Sequence, residues 1–419
     1  MKLTDSVRRL FGFQPTREVD LIKLRDEFGL PARREVTVES SLGIPPLWRA
    51  FNIICEDVSG TPFRVYKTEG EDSRVRAPEH PAHQLIHQRA GATQTSQSLI
   101  STMTFHAMLH GNGYARIWRD IYKAPRDLEL LRPWPHTYPV LEGVGASRRL
   151  YYVTTHYGNS GEMRAIPAED ILHIHGLSYD GICGLSVLEV MNAALAGGIA
   201  TQEYATLYFE NGGNVKGYLQ MPGNLQPGQQ DEIRKNWRRM TTGQDNQHGV
   251  AVLTGGTEYK QLSTDAEQSQ LIDARRFTIT DVANITGVRP KDLGEQSGAA
   301  YNSLEWESRS HNRRAIYPWL NRWESECDDK LRTEKQKRED SHRCRFDRDR
   351  LIEVGLSEQA ESDHKYREAG IYTANEVRRS KNMPAVDGGD TRNIPLNWQD
   401  ADNPVDPNSN TSNTAGANT

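Results

Sequence analysis

Two long helical patterns that bracket a short insert constrain the fold more than any other feature of this sequence. The first covers residues 186–212 and opens with Ser186 and Glu189, which have the spacing of a capping box. At 1.5 Å per residue, a helix of about 24 residues spans about 36 Å, which exceeds the usual globular helix. The second pattern covers residues 264–289 and ends at a Gly-Val-Arg-Pro stop. The sequence therefore predicts two long helices that flank a separate small unit.

Residues 213–263, between the two long helices, are expected to form a compact α/β insert. Tyr218–Met221 and Val250–Leu253 have the composition of strands, and Gln229–Met240 has the spacing of an amphipathic helix. This helix carries four positive charges that could contact an acidic partner or DNA phosphates, although an ordinary solvated face explains them equally well. The four residues are Arg234, Lys235, Arg238 and Arg239.

The chain before the first long helix combines helical and strand patterns. Residues 1–44 are charged and irregular, and we expect them to form a partly disordered arm. Residues 45–185 have the pattern of a mixed α and β region, with helices before Thr61-Pro62 and over Ser96–His110. The strand-like runs are Phe63–Tyr66, Tyr114–Trp118, Leu128–Leu131, Leu150–His156 and Ile171–His175.

The chain after the second long helix begins with a loop of small residues. Leu293–Ala300 carries little bulk and two glycines, which is typical of a mobile segment. A third long helix is predicted over residues 303–345, with a kink at Pro318 because the proline ring removes an amide and clashes with the previous turn. Thr373 and Glu376 then have the spacing of a capping box at the start of another helix.

Composition narrows the classes of function that are open to this chain. Hydrophobic residues make up 36% and charged residues 26%, with a mean hydropathy of -0.72, so the chain is polar and subunit contacts could complete its burial. The net charge of -5 argues against a tight grip on nucleic acid. The four cysteines form no CxxC pair, and no run is apolar enough for a signal peptide or a membrane span. We therefore expect a cytosolic chain without disulfides.

One pattern favours an enzyme instead. His173 and His175 alternate on a predicted strand, so both imidazoles would lie on one face and could share a metal, with Asp180 and Cys183 close behind. The simpler interpretation is a strand end whose histidines bond to backbone or water. The chain has neither GxxxxGK[ST] nor a helix-opening GxGxxG, so it has no nucleotide loop of these types. A metal-dependent hydrolase stays open as an alternative function.

The order of short motifs over residues 44–398 resembles the portal proteins of long-tailed bacteriophages with a compact subunit. Each motif alone is common, but seven occur in the family's order. Arg289 departs from the family, which often has an apolar or proline-like residue at this place. The motifs are Leu109–Ala115, Asp170–Ile174, Gly181 with Gly184–Ser186, Phe209–Gly212, Gly287–Pro290 with Leu293–Gly294, Tyr301–Glu305 with Pro318, and Gly370–Arg378 with Pro384 and Gly388–Asp390.

The resemblance implies an α+β portal fold in a ring of about twelve copies. It also implies named regions along the subunit. These regions are a mixed α/β wing at 45–185, stem helices at 186–212 and 264–289, an α/β clip at 213–263, a tunnel loop at 290–302, a kinked wing helix at 303–345, a helical crown at 346–396 and a disordered tail at 397–419.

The function that the resemblance implies is a conduit for packaging and ejecting double-stranded DNA at one capsid vertex, without enzymatic activity, cofactor or membrane. Its implied partners are the terminase large subunit, the head-tail adaptor, the major capsid protein and DNA in transit. Assembly would take place in the host cytoplasm and the mature site would be the virion. The clip face of Arg234, Lys235, Arg238 and Arg239 would dock the motor or adaptor. The tunnel loop would face DNA through Gly294, Glu295, Gln296, Ser297 and Gly298.

Overall fold

The computed structural model describes most of the chain between residues 36 and 391, so most of the predicted arm and the whole predicted tail lie outside the described residues. The chain divides into two compact units, Met1–Leu351 and Ile352–Thr419. The expected crown start at residue 346 therefore falls inside the first unit. The described residues are 36–69, 73–143, 147–155, 163–210, 217–220, 228–241, 257–261, 265–295, 311–351, 356–381 and 383–391.

Helices and strands both run through the first unit, which is α+β as the sequence predicts. Up to residue 175 they are α1 (Val38–Leu42), α2 (Pro45–Gly60), β1 (Phe63–Glu69), β2 (Ser73–Arg76), α3 (Pro81–His87), α4 (Ser96–His110), β3 (Asn112–Arg119), β4 (Pro125–Leu131), β5 (Thr137–Glu142), β6 (Arg149–Thr154), β7 (Arg164–Pro167) and β8 (Ile171–His175). The later elements are α5 (Val187–Val190), α6 (Asn192–Glu210), β9 (Gly217–Gln220), α7 (Gln229–Thr241), β10 (Glu258–Gln261), α8 (Asp265–Thr286), α9 (Tyr317–Lys330), α10 (Glu334–Glu339) and β11 (His342–Phe346).

Antiparallel pairing organises the described strands into small sheets, with the orders β11-β1-β2, β4-β3-β8, β5-β6-β7 and β10-β9. In the first sheet Val65 lies opposite Cys344, so the end of the unit closes onto its beginning. The single kinked helix predicted over 303–345 is therefore wrong, because α9 ends at Lys330 and a strand follows. Cys344 and Phe346 are buried in alternation, which is the period of a strand.

The core of the first unit forms where α2 packs against α4. The buried residues of α2 recur at helical spacing and face α4, and each fully buried aliphatic side chain contributes about 1.5–3 kcal/mol. Trp323 of α9 closes the core, and its indole Nε1 donates to Thr104 Oγ1 at 3.0 Å. The buried residues of α2 are Leu47, Ala50, Phe51, Ile54, Cys55 and Val58.

The first predicted long helix is divided in the structure. α5 ends at Val190, Met191 leaves the helical conformation, and α6 then runs to Glu210. The predicted capping box is also wrong, because Ser186 Oγ donates to the Leu109 carbonyl at 3.2 Å instead of accepting from the helix. α8, the second long helix, packs against α6.

The insert between the long helices contains the helix that the sequence predicts. α7 matches the predicted amphipathic stretch, and β9 lies where the first strand is expected. β9 pairs with β10, in which Tyr259 lies opposite Leu219. The predicted strand Val250–Leu253 lies outside the described residues. The part of the insert that the structure describes is therefore an antiparallel pair of strands with one helix.

The helix before Pro318 is distorted where the sequence predicts a kink. Asn312–Ile316 is a single π-helical turn, and the Tyr317 amide donates to the Asn312 carbonyl five residues earlier. Proline cannot donate to the ladder and crowds the preceding turn, so widening that turn accommodates the ring. α9 then starts with Pro318 in its first turn.

The described residues of the second unit form two helices, α11 (Leu356–Glu368) and α12 (Ala374–Ser380). The predicted capping box at Thr373 and Glu376 is confirmed, since both reciprocal hydrogen bonds are present. The amide of Asn375 exchanges hydrogen bonds with both backbone groups of Val386, at 3.0 and 2.8 Å. These contacts fold the segment after α12 back onto its first turn.

Candidate functional site

His173 lies on β8 in a closed hydrogen-bond network rather than in an open site. Its Nδ1 is 3.0 Å from the hydroxyl of Tyr152, and its Nε2 is 2.9 Å from Asn112 Oδ1. Asn112 Oδ1 also accepts from the Gly184 amide at 2.8 Å, which identifies it as the oxygen. His173 therefore donates from Nε2 to Asn112 and accepts at Nδ1 from Tyr152.

Burial fixes this arrangement of neutral groups. It holds the pKa of His173 well below its usual range, with the neighbouring His175 acting in the same direction. It also raises the pKa of the Tyr152 hydroxyl. Since both ring nitrogens of His173 are occupied, the ring has no lone pair free for a metal. His175 Nδ1 lies 2.9 Å from the Gly176 carbonyl oxygen.

The hydrolase alternative has no support in this geometry. Among the described residues, no group of three or more His, Cys, Asp or Glu could hold a metal ion. The Asp180 carboxylate, which the sequence places near the histidines, accepts from the Ile182 and Cys183 amides at 2.8 Å each and orders its own loop. The histidines and Asp180 are therefore structural groups at the end of a strand, which is the simpler of the two interpretations.

The network instead anchors the segment that leads into α5, at the start of the first long helix. Asn112 Nδ2 donates to the Gly184 carbonyl at 3.0 Å, so one asparagine binds both backbone groups of Gly184, three residues before α5. Gly111 adopts a left-handed conformation with φ of 80°, and a side chain on Gly184 would overlap the Gly111 carbonyl. In the sequence, Gly111-Asn112-Gly113 stands out only as the end of a predicted helix and as part of the motif Leu109–Ala115. The two glycines beside an asparagine were the available signal for this close approach.

Glu326 is a further member of this site that sequence reasoning missed. Its Oε1 accepts from the His173 backbone amide at 2.9 Å, which joins α9 to β8. Burial raises the pKa of Glu326 to about 7, although the hydrogen bond from His173 and the charge of Lys330 lower it. Nothing in its immediate sequence indicates this contact, because the partner is about 150 residues away and is a backbone group.

The helix of the insert displays part of the predicted basic face. Arg234 and Lys235 are exposed on α7, and Arg234 Nη1 lies 3.6 Å from Asp231 Oδ1. An exposed pair of this kind contributes little to stability. Arg238 and Arg239 lie on the same helix, but their side chains are outside the described residues. The docking role of the four residues stays a prediction.

The first part of the predicted tunnel loop is ordered. Pro290–Leu293 forms a 3-10 turn, Leu293 is buried, and Gly294 follows in a left-handed conformation with φ of 102°. Arg289 forms a two-pronged ion pair with Asp292 at 2.7 and 3.0 Å, so the residue that departs from the family closes this turn. Glu295 donates its amide to the Pro290 carbonyl at 3.1 Å. The remaining predicted loop residues, Gln296, Ser297 and Gly298, lie outside the described residues.

In the portion of the chain that the structure describes, no helix has the length and apolarity that a membrane crossing requires. The two segments predicted to carry function adjoin the long helices: the insert lies between α6 and α8, and the loop follows α8. The start of α6 and the end of α8 pack on the core of the first unit.

Sequence comparisons find phage portal proteins. A family model described as phage portal protein matches residues 45–382. The probable portal protein of Streptomyces phage phiC31 is 25% identical over 386 residues, which cover 86% of this chain and 80% of the relative. The portal protein of Enterobacteria phage HK97 is 23% identical over 358 residues, which cover 84% of this chain and 81% of the relative.

Solved structures share the fold. An HK97 family phage portal protein from Corynebacterium diphtheriae has a TM-score of 0.53 at 16% identity, covering 76% of this chain and 98% of that protein. A chain of the native gene transfer agent virion has a TM-score of 0.55 at 19% identity, covering 87% of this chain and 99% of that chain. The family model extends over well more than half of the sequence and includes both long helices and their insert, and this chain therefore belongs to the phage portal protein family.

Proposed function

We propose that about twelve copies of the chain form a ring at one capsid vertex, and that double-stranded DNA passes through the ring during packaging and ejection. One observation carries this proposal: the family match at residues 45–382 covers the wing-like core, both long helices and the insert in one continuous stretch. A similar chain, with a TM-score of 0.52, occurs in the neck of a gene transfer agent particle whose map was computed with C12 symmetry. A closed ring of identical subunits gives each copy the same environment.

The charge of the chain suits a conduit. At a net charge of -5 per copy, a ring of about twelve carries about -60, so the ring lacks the strong positive charge that is typical of proteins that bind DNA tightly. A channel that held DNA tightly would slow its passage. In this proposal the loop from Gly294 to Gly298 faces DNA, with Glu295 as its only charge.

The insert acts as the docking end. Arg234 and Lys235 point into solvent from α7, where they can meet acidic groups of the terminase large subunit or of the head-tail adaptor. The wing contacts the major capsid protein. The ring has no catalytic role in this proposal; it positions the motor and later the tail.

Native mass spectrometry of the purified chain tests the ring. About twelve subunits of 47.4 kDa give a particle of about 570 kDa. We expect this species to persist at micromolar concentration across a range of salt, because apolar subunit contacts are insensitive to screening. A chain that stays monomeric under all of these conditions refutes the proposal.

A further inference from the structure

An apolar groove with two cations lies beside the start of the first long helix and the end of the second. Its volume is about 370 Å³, and α2, α4, α5, α9 and the end of α8 contribute to its walls. Phe51, Leu185 and Ile285 are among the apolar side chains that line it. Leu177 on its rim is 75% exposed, and Val190 and Met191 are 39% and 38% exposed. The groove therefore leaves large apolar side chains in water.

Two guanidinium groups line this groove. Arg314 comes from the π-helical turn and Arg322 from α9. Arg322 stacks on the Trp319 ring, with its Cζ 4.5 Å from the ring centroid, and burial lowers the pKa of the guanidinium. Among the described residues, no carboxylate lines the groove or lies within ion-pair distance of either arginine. Arg314 is exposed, whereas Arg322 is half-buried, and a half-buried cation with no carboxylate partner among the described residues is costly. The groove therefore favours an occupant that brings a carboxylate.

We infer that this groove receives a second copy of the chain, which inserts apolar side chains together with at least one Asp or Glu. The inference rests on the proposed ring. In a ring of identical subunits each copy presents one face to a different face of its neighbour, so a groove at such an interface would be covered by a surface elsewhere on the same chain. Permanent subunit interfaces are apolar, like a domain core cut in half.

Charge supports the same occupant. The whole chain has 56 acidic and 51 basic residues, whereas the described charged residues of the groove are both basic. The rest of the chain therefore has an excess of acidic residues, and a neighbouring copy offers those that are exposed. Double-stranded DNA would satisfy the arginines through its phosphates, but it would leave the apolar walls in water.

Charge reversal with a matched control tests the assignment. Arg314→Glu places a carboxylate at an exposed position of the groove, and Arg322→Glu places one at a half-buried position. Arg313→Glu is the control, because Arg313 is the exposed neighbour in the same π-helical turn and does not line the groove. We expect Arg314→Glu and Arg322→Glu to raise the chain concentration needed for half-maximal ring assembly at least about tenfold, while Arg313→Glu assembles like the wild type. Circular dichroism checks that each variant is folded, and Arg314→Glu is the decisive variant because its side chain is exposed.

Cross-linking identifies the occupant. Arg314→Lys places an amine in the groove, and a carbodiimide, which is a zero-length cross-linker, couples this amine to a nearby carboxylate. Mixing labelled with unlabelled chains then distinguishes links between two copies from links within one copy. Links between copies support the inference. Links confined to one chain, links to DNA-bound or other proteins in assembling particles, or normal ring assembly by both Glu variants overturn it. If the wild type itself forms no ring, the proposed function fails first, so the two failures are distinguishable.

Discussion

Replacing Gly184 by alanine should be among the most damaging single-methyl changes in the chain. The added Cβ would overlap the Gly111 carbonyl oxygen and lie 2.8 Å from the Gly176 amide nitrogen, and both are backbone atoms that cannot rotate away. Overpacking of this kind costs about 1–3 kcal/mol, and displacing Gly184 also weakens its two hydrogen bonds to Asn112, at about 1 kcal/mol each. We expect a loss of about 3–5 kcal/mol.

Urea denaturation followed by tryptophan fluorescence measures this loss. Gly197→Ala is the matched control, because it adds the same methyl group to α6 at a position where nothing lies within 4 Å. Alanine is the better helix former, so the control should be more stable than the wild type by about 0.5–1 kcal/mol. If the free energy of unfolding of Gly184→Ala lies within about 1 kcal/mol of the wild-type value, the close approach of Gly184 to Gly111 is refuted.

Three further predictions follow from the site and the proposed ring. Because the pKa of Glu326 is raised to about 7 in the folded state, the carboxyl adds stability below pH 4.5 that disappears as the pH rises through 7. Glu326→Gln should remove this part of the pH dependence in urea titrations, and an identical slope in both proteins would contradict the shift. Reversing Arg234 and Lys235 to Glu should leave rings intact but weaken packaging or tail attachment; normal infectivity would mean that the face is only solvated. Changing Gln296 and Ser297 to Lys should make packaging slower and more salt-dependent, and an unchanged rate and slope would remove this loop from the channel.

The sequence predicts local structure well where a periodic pattern ends at a strong local signal. α4 is found at Ser96–His110 as predicted, because its apolar spacing ends at Gly111, which adopts the left-handed conformation. The capping box at Thr373 is likewise formed by residues three positions apart. The distortion before Pro318 depends only on the missing amide and the ring of that residue.

The errors arise where a distant group competes with a local one. Ser186 fails to cap α5 because its hydroxyl donates to the Leu109 carbonyl, 77 positions away. Residues 342–345 fall within the helix predicted over 303–345, and they include a histidine and two arginines, but pairing with β1 makes His342–Phe346 a strand. These partners are neighbours only after folding, so spacing along the chain cannot reveal them.

The candidate site was only partly predictable for the same reason. His173 was singled out by its alternation with His175, but its partners Tyr152 and Asn112 come from other strands. When these partners are unknown, the sequence pattern of a metal-binding histidine is the same as that of a structural histidine. The basic helix of the insert was located correctly as a helix, because its amphipathic spacing is local. Whether Arg234 docks a partner depends on a second molecule, which the pattern of one chain does not specify.

Electron microscopy of the purified chain tests the central claim most directly. The proposed conduit predicts closed rings with an open centre and about twelvefold symmetry in end-on views. Monomers, or open filaments without a central channel, would contradict the proposal, because a chain that does not close into a ring cannot surround DNA at a capsid vertex.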